Sequence, residues 1–286
     1  MADPAIHVDD ITYAYGDVVA VNGVSFDVAP GEILGFLGPN GAGKSTTIKI
    51  MTGLLDAPSG SMTILGRDMP GDKEEIQQHM GVCFEEKNLY LDMSGRENLE
   101  FFSRLFSMDG FDPDPLMRRV GLFDRRNDRA ADYSKGMRQR LMVARSFINQ
   151  PMVLFLDEPT DGLDPVSSQA IRNMIREEAD RGAAVVLTTH DMQEADKLSD
   201  RVAFINEGRL LTLDTPENLK LAHGRREVRV RARDGDDVTE TVIPLDDGDA
   251  GDRIRQAVAV EGLMTIHTEE ATLEDIFIEF AGRGLE

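Results

Sequence analysis

Residues 153–160 read Val153-Leu154-Phe155-Leu156-Asp157-Glu158-Pro159-Thr160. Four consecutive apolar residues have the length and character of a short strand buried on both faces. Such a strand gains nothing from ending in two adjacent carboxylates, because a desolvated carboxylate is costly unless a cation or a proton relay sits beside it. The pair therefore implies a cation at the strand's end, and Pro159 turns the chain away beyond it.

Upstream, Glu32-Ile33-Leu34-Gly35-Phe36-Leu37 reads as another apolar strand. It runs directly into Gly38-Pro39-Asn40-Gly41-Ala42-Gly43-Lys44-Ser45-Thr46, a match to G-x-x-x-x-G-K-[ST]. Gly38, Gly41 and Gly43 let backbone N–H groups curl around phosphates, and a helix starting near Lys44 turns its positive end to the same anion. Lys44 then reaches the β and γ phosphates and Ser45 ligates Mg²⁺. A second parallel strand ending beside this loop puts Asp157 in the Mg²⁺ shell and Glu158 beside the attacking water. Partial desolvation and phosphate charge raise the proton affinity of Glu158, which suits a general base.

Between the two strands lies Asp132-Tyr133-Ser134-Lys135-Gly136-Met137-Arg138-Gln139-Arg140, and beyond them Leu187-Thr188-Thr189-His190-Asp191. Ser134 opens an amphipathic helix carrying Leu141, Met142, Ala144 and Phe147, so its hydroxyl and the helix N-terminus form an anion cap. His190 follows the apolar run Ala184–Leu187, at the strand end where α/β sites lie.

With these segments in order, residues 6 to 220 resemble the ATP-binding subunit of ABC transporters. The resemblance implies an α/β P-loop NTPase fold: a RecA-like core with an antiparallel β portion and a helical subdomain. It implies ATP and Mg²⁺ as ligands, with Tyr15 stacking on adenine and Gly38, Pro39, Asn40, Gly41, Ala42, Gly43, Lys44, Ser45 and Thr46 wrapping the phosphates. Glu158, His190 and Lys44 become the catalytic residues, with His190 contacting the γ-phosphate and orienting the water. Ser134 and Gly136 belong to the signature that closes over the nucleotide of a second, head-to-tail subunit, and Gly162-Leu163-Asp164 is the D-loop. The partners implied are that second subunit, in a homodimer, and a separate integral membrane permease.

Two departures from the family pattern narrow the assignment. The usual Leu-Ser-Gly-Gly-Gln is Tyr133-Ser134-Lys135-Gly136-Met137 here, a form similar to that of ATPase subunits of ABC-2-type exporters. In Gly81-Val82-Cys83-Phe84-Glu85-Glu86-Lys87-Asn88 the expected Gln is Glu85, which keeps an oxygen for Mg²⁺. The metal set is therefore Ser45, Asp157 and Glu85. Further on, Leu89-Tyr90-Leu91-Asp92-Met93 precedes Ser94-Gly95-Arg96-Glu97, a capping box opening a helix with Leu99, Phe102 and Phe106 on one side. In the family this neighbourhood receives a helix of the membrane subunit.

After Thr215-Pro216-Glu217-Asn218-Leu219 the text changes. Glu227 to Arg233 alternates with period two, Asp234-Gly235-Asp236-Asp237 forms a turn, and Val238–Ile243 makes a second strand. A helix near 253–260, a strand over 263–268 and a helix opened by Thr272, with Leu273, Ile276, Phe277 and Phe280 inward, complete a small ββαβα module. The expected organisation is an ATP-binding cassette over 5–222 and an α+β accessory domain over 223–286. Arg229, Arg231 and Arg233 share one strand face, read as a solvated stripe paired with acids such as Glu240.

Composition excludes broad nucleic-acid binding. The 286 residues carry 31 Lys and Arg against 52 Asp and Glu, a net charge of −21 that repels phosphate backbones. The acid surplus suits a cytosol of high salt, where charges are screened within about 3 Å at 1 M. Cys83 is the single cysteine, read as a small buried hydrophobe. No segment approaches the roughly 18 apolar residues of a membrane helix, and Met1-Ala2-Asp3-Pro4 has no signal-peptide character. The expected location is the cytoplasmic face of the membrane, through the permease. The alternative function is a soluble mechanochemical or regulatory ATPase not coupled to transport: the first would show tandem cassettes, long heptad arms, zinc cysteines or basic surfaces, none of which the sequence has, and the second is opposed by Glu158 and His190 but favoured by Glu85.

Overall fold

The structure is a computed structural model that describes residues 3–85, 88–223, 227–234, 237–269 and 271–282. Two compact units divide the chain, Met1–Leu213 and Asp214–Glu286. The first runs β1 (Ile6–Tyr15), β2 (Val18–Val28), β3 (Ile33–Leu37), α1 (Lys44–Met51), β4 (Ser59–Ile64), β5 (Arg67–Asp68), α2 (Lys73–Gln78) and β6 (Met80–Cys83). It continues with α3 (Gly95–Leu105), α4 (Asp114–Arg119), α5 (Lys135–Ser146), β7 (Val153–Asp157), α6 (Pro165–Asp180), β8 (Ala184–Thr189), α7 (Met192–Leu198), β9 (Arg201–Asn206) and β10 (Arg209–Asp214).

A six-stranded sheet ordered β10-β9-β3-β8-β7-β6 forms the centre, with β9, β3, β8, β7 and β6 parallel. Its middle strands are buried on both faces, and their alternate residues feed two different cores. Leu34, Phe36, Val153, Phe155, Ala184 and Val186 join the core shared with β1, β2, β4 and α1. Ile33, Leu154, Leu156, Val185 and Leu187 join the core built from α3, α5 and α6. A strand facing apolar layers on both sides must be apolar at every position, which explains Val153–Leu156. Fully burying each such side chain contributes about 1.5–3 kcal/mol. The antiparallel portion is a second sheet, β2-β1-β4-β5, of which β4 and β5 follow the phosphate loop rather than precede it.

The capping box is present: the Ser94 side chain accepts from Glu97 N, and the Glu97 carboxylate accepts from Ser94 N at 2.7 Å. Leu99 is buried and Phe102 and Phe106 pack beside it in the second core. Leu89 is buried, whereas Tyr90 and Leu91 stay exposed.

The second unit contains α8 (Pro216–His223), β11 (Glu227–Asp234), β12 (Asp237–Pro244), α9 (Ala250–Val258), β13 (Leu263–Glu269) and α10 (Leu273–Ala281). Its sheet is β12-β11-β13, antiparallel throughout. Val228, Val230 and Ala232 are buried on one face. On the other, Arg229 meets Glu240 at 3.0 Å and Arg231 meets it at 3.5 Å, so these two arginines of the stripe pair with an acid as expected. Gly235 and Asp236 of the expected turn lie outside the described residues. The expected boundary at 222/223 falls too late. Helix α8 packs on α10, with the His223 and Phe280 rings 4.7 Å apart, so the unit begins at Asp214.

Candidate active site

In an open parallel sheet the loops at the carboxyl ends of the strands share one edge. Here β3 delivers the phosphate loop, β7 ends in Asp157 and Glu158, β8 leads into His190, and Glu85 follows β6. Together with Ala20 of β2 and Asp161, the residues Pro39 to Thr46, Glu85, Asp157, Glu158 and His190 line one cavity of about 480 Å³. The cation implied by the carboxylate pair is in part Lys44, which belongs to the same cavity.

Helix α1 starts at Lys44 with Gly43 as its N-cap at φ 107°. No side chain fits there, because a Cβ on Gly43 would run into the Ala20 carbonyl in a conformation that L residues avoid. The Lys44 ammonium donates to the Gly38 carbonyl at 2.6 Å and to the Pro39 carbonyl at 3.1 Å. Burial pulls it below the ordinary lysine value, against the opposing pull of Glu158, Asp157 and Glu85.

Glu158 is a non-glycine residue at φ 50°, a conformation that costs on the order of 1–3 kcal/mol and persists only where surrounding contacts over-determine it. Those contacts come from two sides. Its N–H donates to the carbonyl of Thr188 at 3.1 Å and to the Thr188 hydroxyl at 3.2 Å. Gln139 of α5 donates to the carbonyls of Glu158 and Pro159 at 3.1 and 3.2 Å. The Thr188 hydroxyl in turn donates to the Asp157 carboxylate. Thr188 therefore holds the Asp157 carboxylate and the Glu158 backbone, and β7 and β8 place it directly opposite Asp157.

The Glu158 carboxylate approaches Nδ1 of His190 at 3.0 Å. Burial raises its proton affinity, and the hydrogen bond and charge of His190, then Lys44, oppose that rise. The same hydrogen bond raises the imidazole above the ordinary histidine value. The carboxylate and the imidazole therefore share one hydrogen bond within the lining of the cavity.

Four expected residues stand apart from the cavity lining, and the first, Gly38, instead offers its carbonyl to the Lys44 ammonium. Tyr15 is 48% exposed and packs edge-on to Tyr13 at 5.0 Å. Ser134 caps α5, accepting from Met137 N at 3.2 Å, and with Gly136 it lies outside the lining of this chain's own cavity. Lys135, the departure from the usual signature, pairs with Asp161 at 2.8 Å. Thr188, Gln139, Asp161 and Ala20 are the functional neighbours that sequence reasoning missed. Asp161 was findable from its place just after the carboxylate pair. Thr188 and Gln139 act through strand pairing and helix packing, which leave no local signature.

The family model described as ABC transporter matches residues 21–161, a span holding the phosphate loop, the signature and the carboxylate strand. A fluoroquinolones export ATP-binding protein of Mycobacterium tuberculosis (strain CDC 1551 / Oshkosh) is 44% identical over 283 residues, covering 98% of this chain and 94% of its own length. The chain belongs to the ABC transporter family. Like the family's ATP-binding subunits, it binds nucleotide and hydrolyses ATP. A daunorubicin resistance ATP-binding protein of Streptomyces coeruleorubidus is 37% identical, over 82% of this chain and 75% of its own length. A solved ATP-binding subunit of an ABC transporter superposes with a TM-score of 0.71 at 28% identity, over 76% of this chain and 92% of the other. The P-loop NTPase fold expected from the sequence is therefore the fold observed.

Proposed function

We propose that this ABC ATPase energises an exporter whose transport path belongs to a separate integral membrane permease, and that it works at the cytoplasmic face of the membrane through that permease. The observation that carries the reading is the convergence of the phosphate loop, Asp157, Glu158, His190 and Glu85 on one 480 Å³ cavity. The relatives named above, an export protein and a drug-resistance protein, support export. No described helix is long and apolar enough to cross a membrane.

Within the cavity, the loop amides and Lys44 bind and orient the phosphates. Glu158 accepts the proton of the attacking water and His190 holds that carboxylate and the γ-phosphate in register. Ser45, Asp157 and Glu85 present oxygen donors to the same space, the ligand chemistry Mg²⁺ takes when phosphates and waters complete its shell. Among the described residues no three or more Asp, Glu, His or Cys side chains are arranged to hold a metal ion by themselves. Bound there, Mg²⁺ would neutralise charge on the β and γ phosphates.

The signature Ser134 caps α5 away from its own cavity, so its anion cap serves a nucleotide held by a second copy in a head-to-tail homodimer. We assign the docking of the permease to an apolar groove of about 360 Å³ lined by Leu54, Phe84, Phe102, Leu105, Phe106 and Arg145. Leu54 and Leu105 are more than half exposed there, and burying such surface favours association. We read Asp214–Glu286 as an accessory module to a cassette that ends before it.

The test is affinity capture with tagged Glu158→Gln protein from detergent-solubilised membranes of the native host, with Mg-ATP at high salt. Recovery of a polytopic membrane protein is expected. Recovery of ribosomes or nucleic acid, or ATP-dependent dimers without any membrane partner, refutes the transport reading.

A further inference from the structure

The nucleotide cavity and the signature helix are joined by one buried side chain that neither the motifs nor the resemblance assigns. Gln139 sits in α5 with 4% of its surface exposed. Its Nε2 donates to the carbonyl of Glu158 at 3.1 Å and to that of Pro159 at 3.2 Å. One turn earlier on the same helix face, Lys135 pairs with Asp161 at 2.8 Å. The first turns of α5 therefore hold the segment 158–161 at two points.

Glu158 is the residue of that segment with a strained backbone. At φ 50° it sits in a strained well, held by Thr188 on one side and by Gln139 on the other. The Thr188 grip comes from β8, part of the central sheet. The Gln139 grip comes from a helix whose N-cap, Ser134, begins the signature. Displacing α5 relative to the sheet must move one grip against the other and so redirect the Glu158 carboxylate.

We infer that Gln139 is a positioning residue for hydrolysis and the link between the two nucleotide sites of the dimer. Ser134 closes on the nucleotide of the second copy, and Gln139, on the same helix, positions the carboxylate that takes the proton of the water attacking the nucleotide of its own copy. Occupancy of one site thereby aligns the base of the other. This rests on the ATPase dimer proposed above.

The experiment uses the full chain with Gln139→Leu and, as a flexible apolar replacement of similar length, Gln139→Met. Both remove the donor and leave the Pro159 carbonyl without it. Steady-state hydrolysis is followed against ATP concentration, binding is followed with a fluorescent ATP analogue, and folding is followed by thermal melting. The expected result is a kcat about 10- to 100-fold lower, the size of effect that misplacing a reacting group by an ångström produces. KM and analogue affinity should stay within about twofold, because the phosphate loop is untouched. The Hill coefficient should fall to 1 from a wild-type value above 1.

A kcat within twofold of wild type overturns the proposal. So does a kcat loss matched by lost nucleotide affinity or lost folded protein in both variants, which marks a structural residue. A Hill coefficient of 1 in the wild type, or one unchanged in the variants, overturns the link between sites. Wild-type protein that neither hydrolyses ATP nor dimerises as Glu158→Gln refutes the underlying reading instead, so the two failures are distinguishable.

Discussion

Replacing Thr188 by Val tests whether the hydroxyl between the Asp157 carboxylate and the Glu158 backbone has the role the geometry gives it. Thr188 is fully buried in β8, and Val nearly matches its shape, so no cavity opens and the change isolates one oxygen. That oxygen donates to the Asp157 carboxylate and accepts from Glu158 N. The second bond has a substitute, because Glu158 N also reaches the Thr188 backbone carbonyl at 3.1 Å. The first has none from this residue, and Asp157 is 2% exposed, so water cannot readily replace the donor. A hydrogen bond to a charged group contributes about 1.5–3 kcal/mol, and leaving a buried acceptor unsatisfied carries a cost of the same size. The expected loss is therefore about 2–3 kcal/mol, roughly 30- to 150-fold in the unfolding equilibrium. Urea unfolding at neutral pH without nucleotide, followed by far-UV circular dichroism, measures it on the transition of the cassette, which must be resolved from that of the second unit. A cassette midpoint that shifts by less than about 0.5 kcal/mol, the scale of a neutral surface change, refutes the reasoning.

Substituting His190 by Ala removes the interactions that hold the raised proton affinity of Glu158 in check, so that affinity rises further. A general base works only when deprotonated, so the acid limb of the kcat–pH profile moves to higher pH; an unmoved limb, or one shifted to lower pH, contradicts this. Cys83 is fully buried and its thiol is pushed up to about 12 by that burial, so iodoacetamide at pH 8 should modify it only after unfolding in urea. Mass spectrometry that finds it alkylated in native, active protein refutes that placement. With a net charge of −21, the chain should lose stability on dilution from molar to millimolar KCl as self-repulsion loses its screening. A melting temperature independent of KCl sinks the high-salt reading.

Much of the site was legible before any fold was known. The phosphate loop announces itself because cradling an anion with backbone N–H groups needs glycines at fixed spacing, and those glycines are consecutive in the chain. The pair Asp157 and Glu158 is legible for a related reason: an apolar run that ends in two carboxylates is so unfavourable that it demands a partner. His190 became interpretable from the strand before it, and Ser134 from the helix after it. Tyr15 was assigned from resemblance alone, and the structure places it outside the cavity lining. The domain boundary was read at a change of pattern near 222, whereas packing of α8 on α10 sets it at 213/214.

The sequence by itself determined the local chemistry: which strands are buried on both faces, where an anion can be wrapped, and which carboxylates must meet a cation. Each of these follows from the properties of neighbouring residues, so a short window is enough to read it. Only the tertiary structure decided which distant groups complete the site. The register of β7 against β8 sets Thr188 opposite Asp157, and the packing of α5 on the end of β7 brings Gln139 to the carbonyls of Glu158 and Pro159. These contacts depend on strand order and helix placement. Those arise from burying two apolar cores at once, a constraint on the whole unit rather than on any stretch of it.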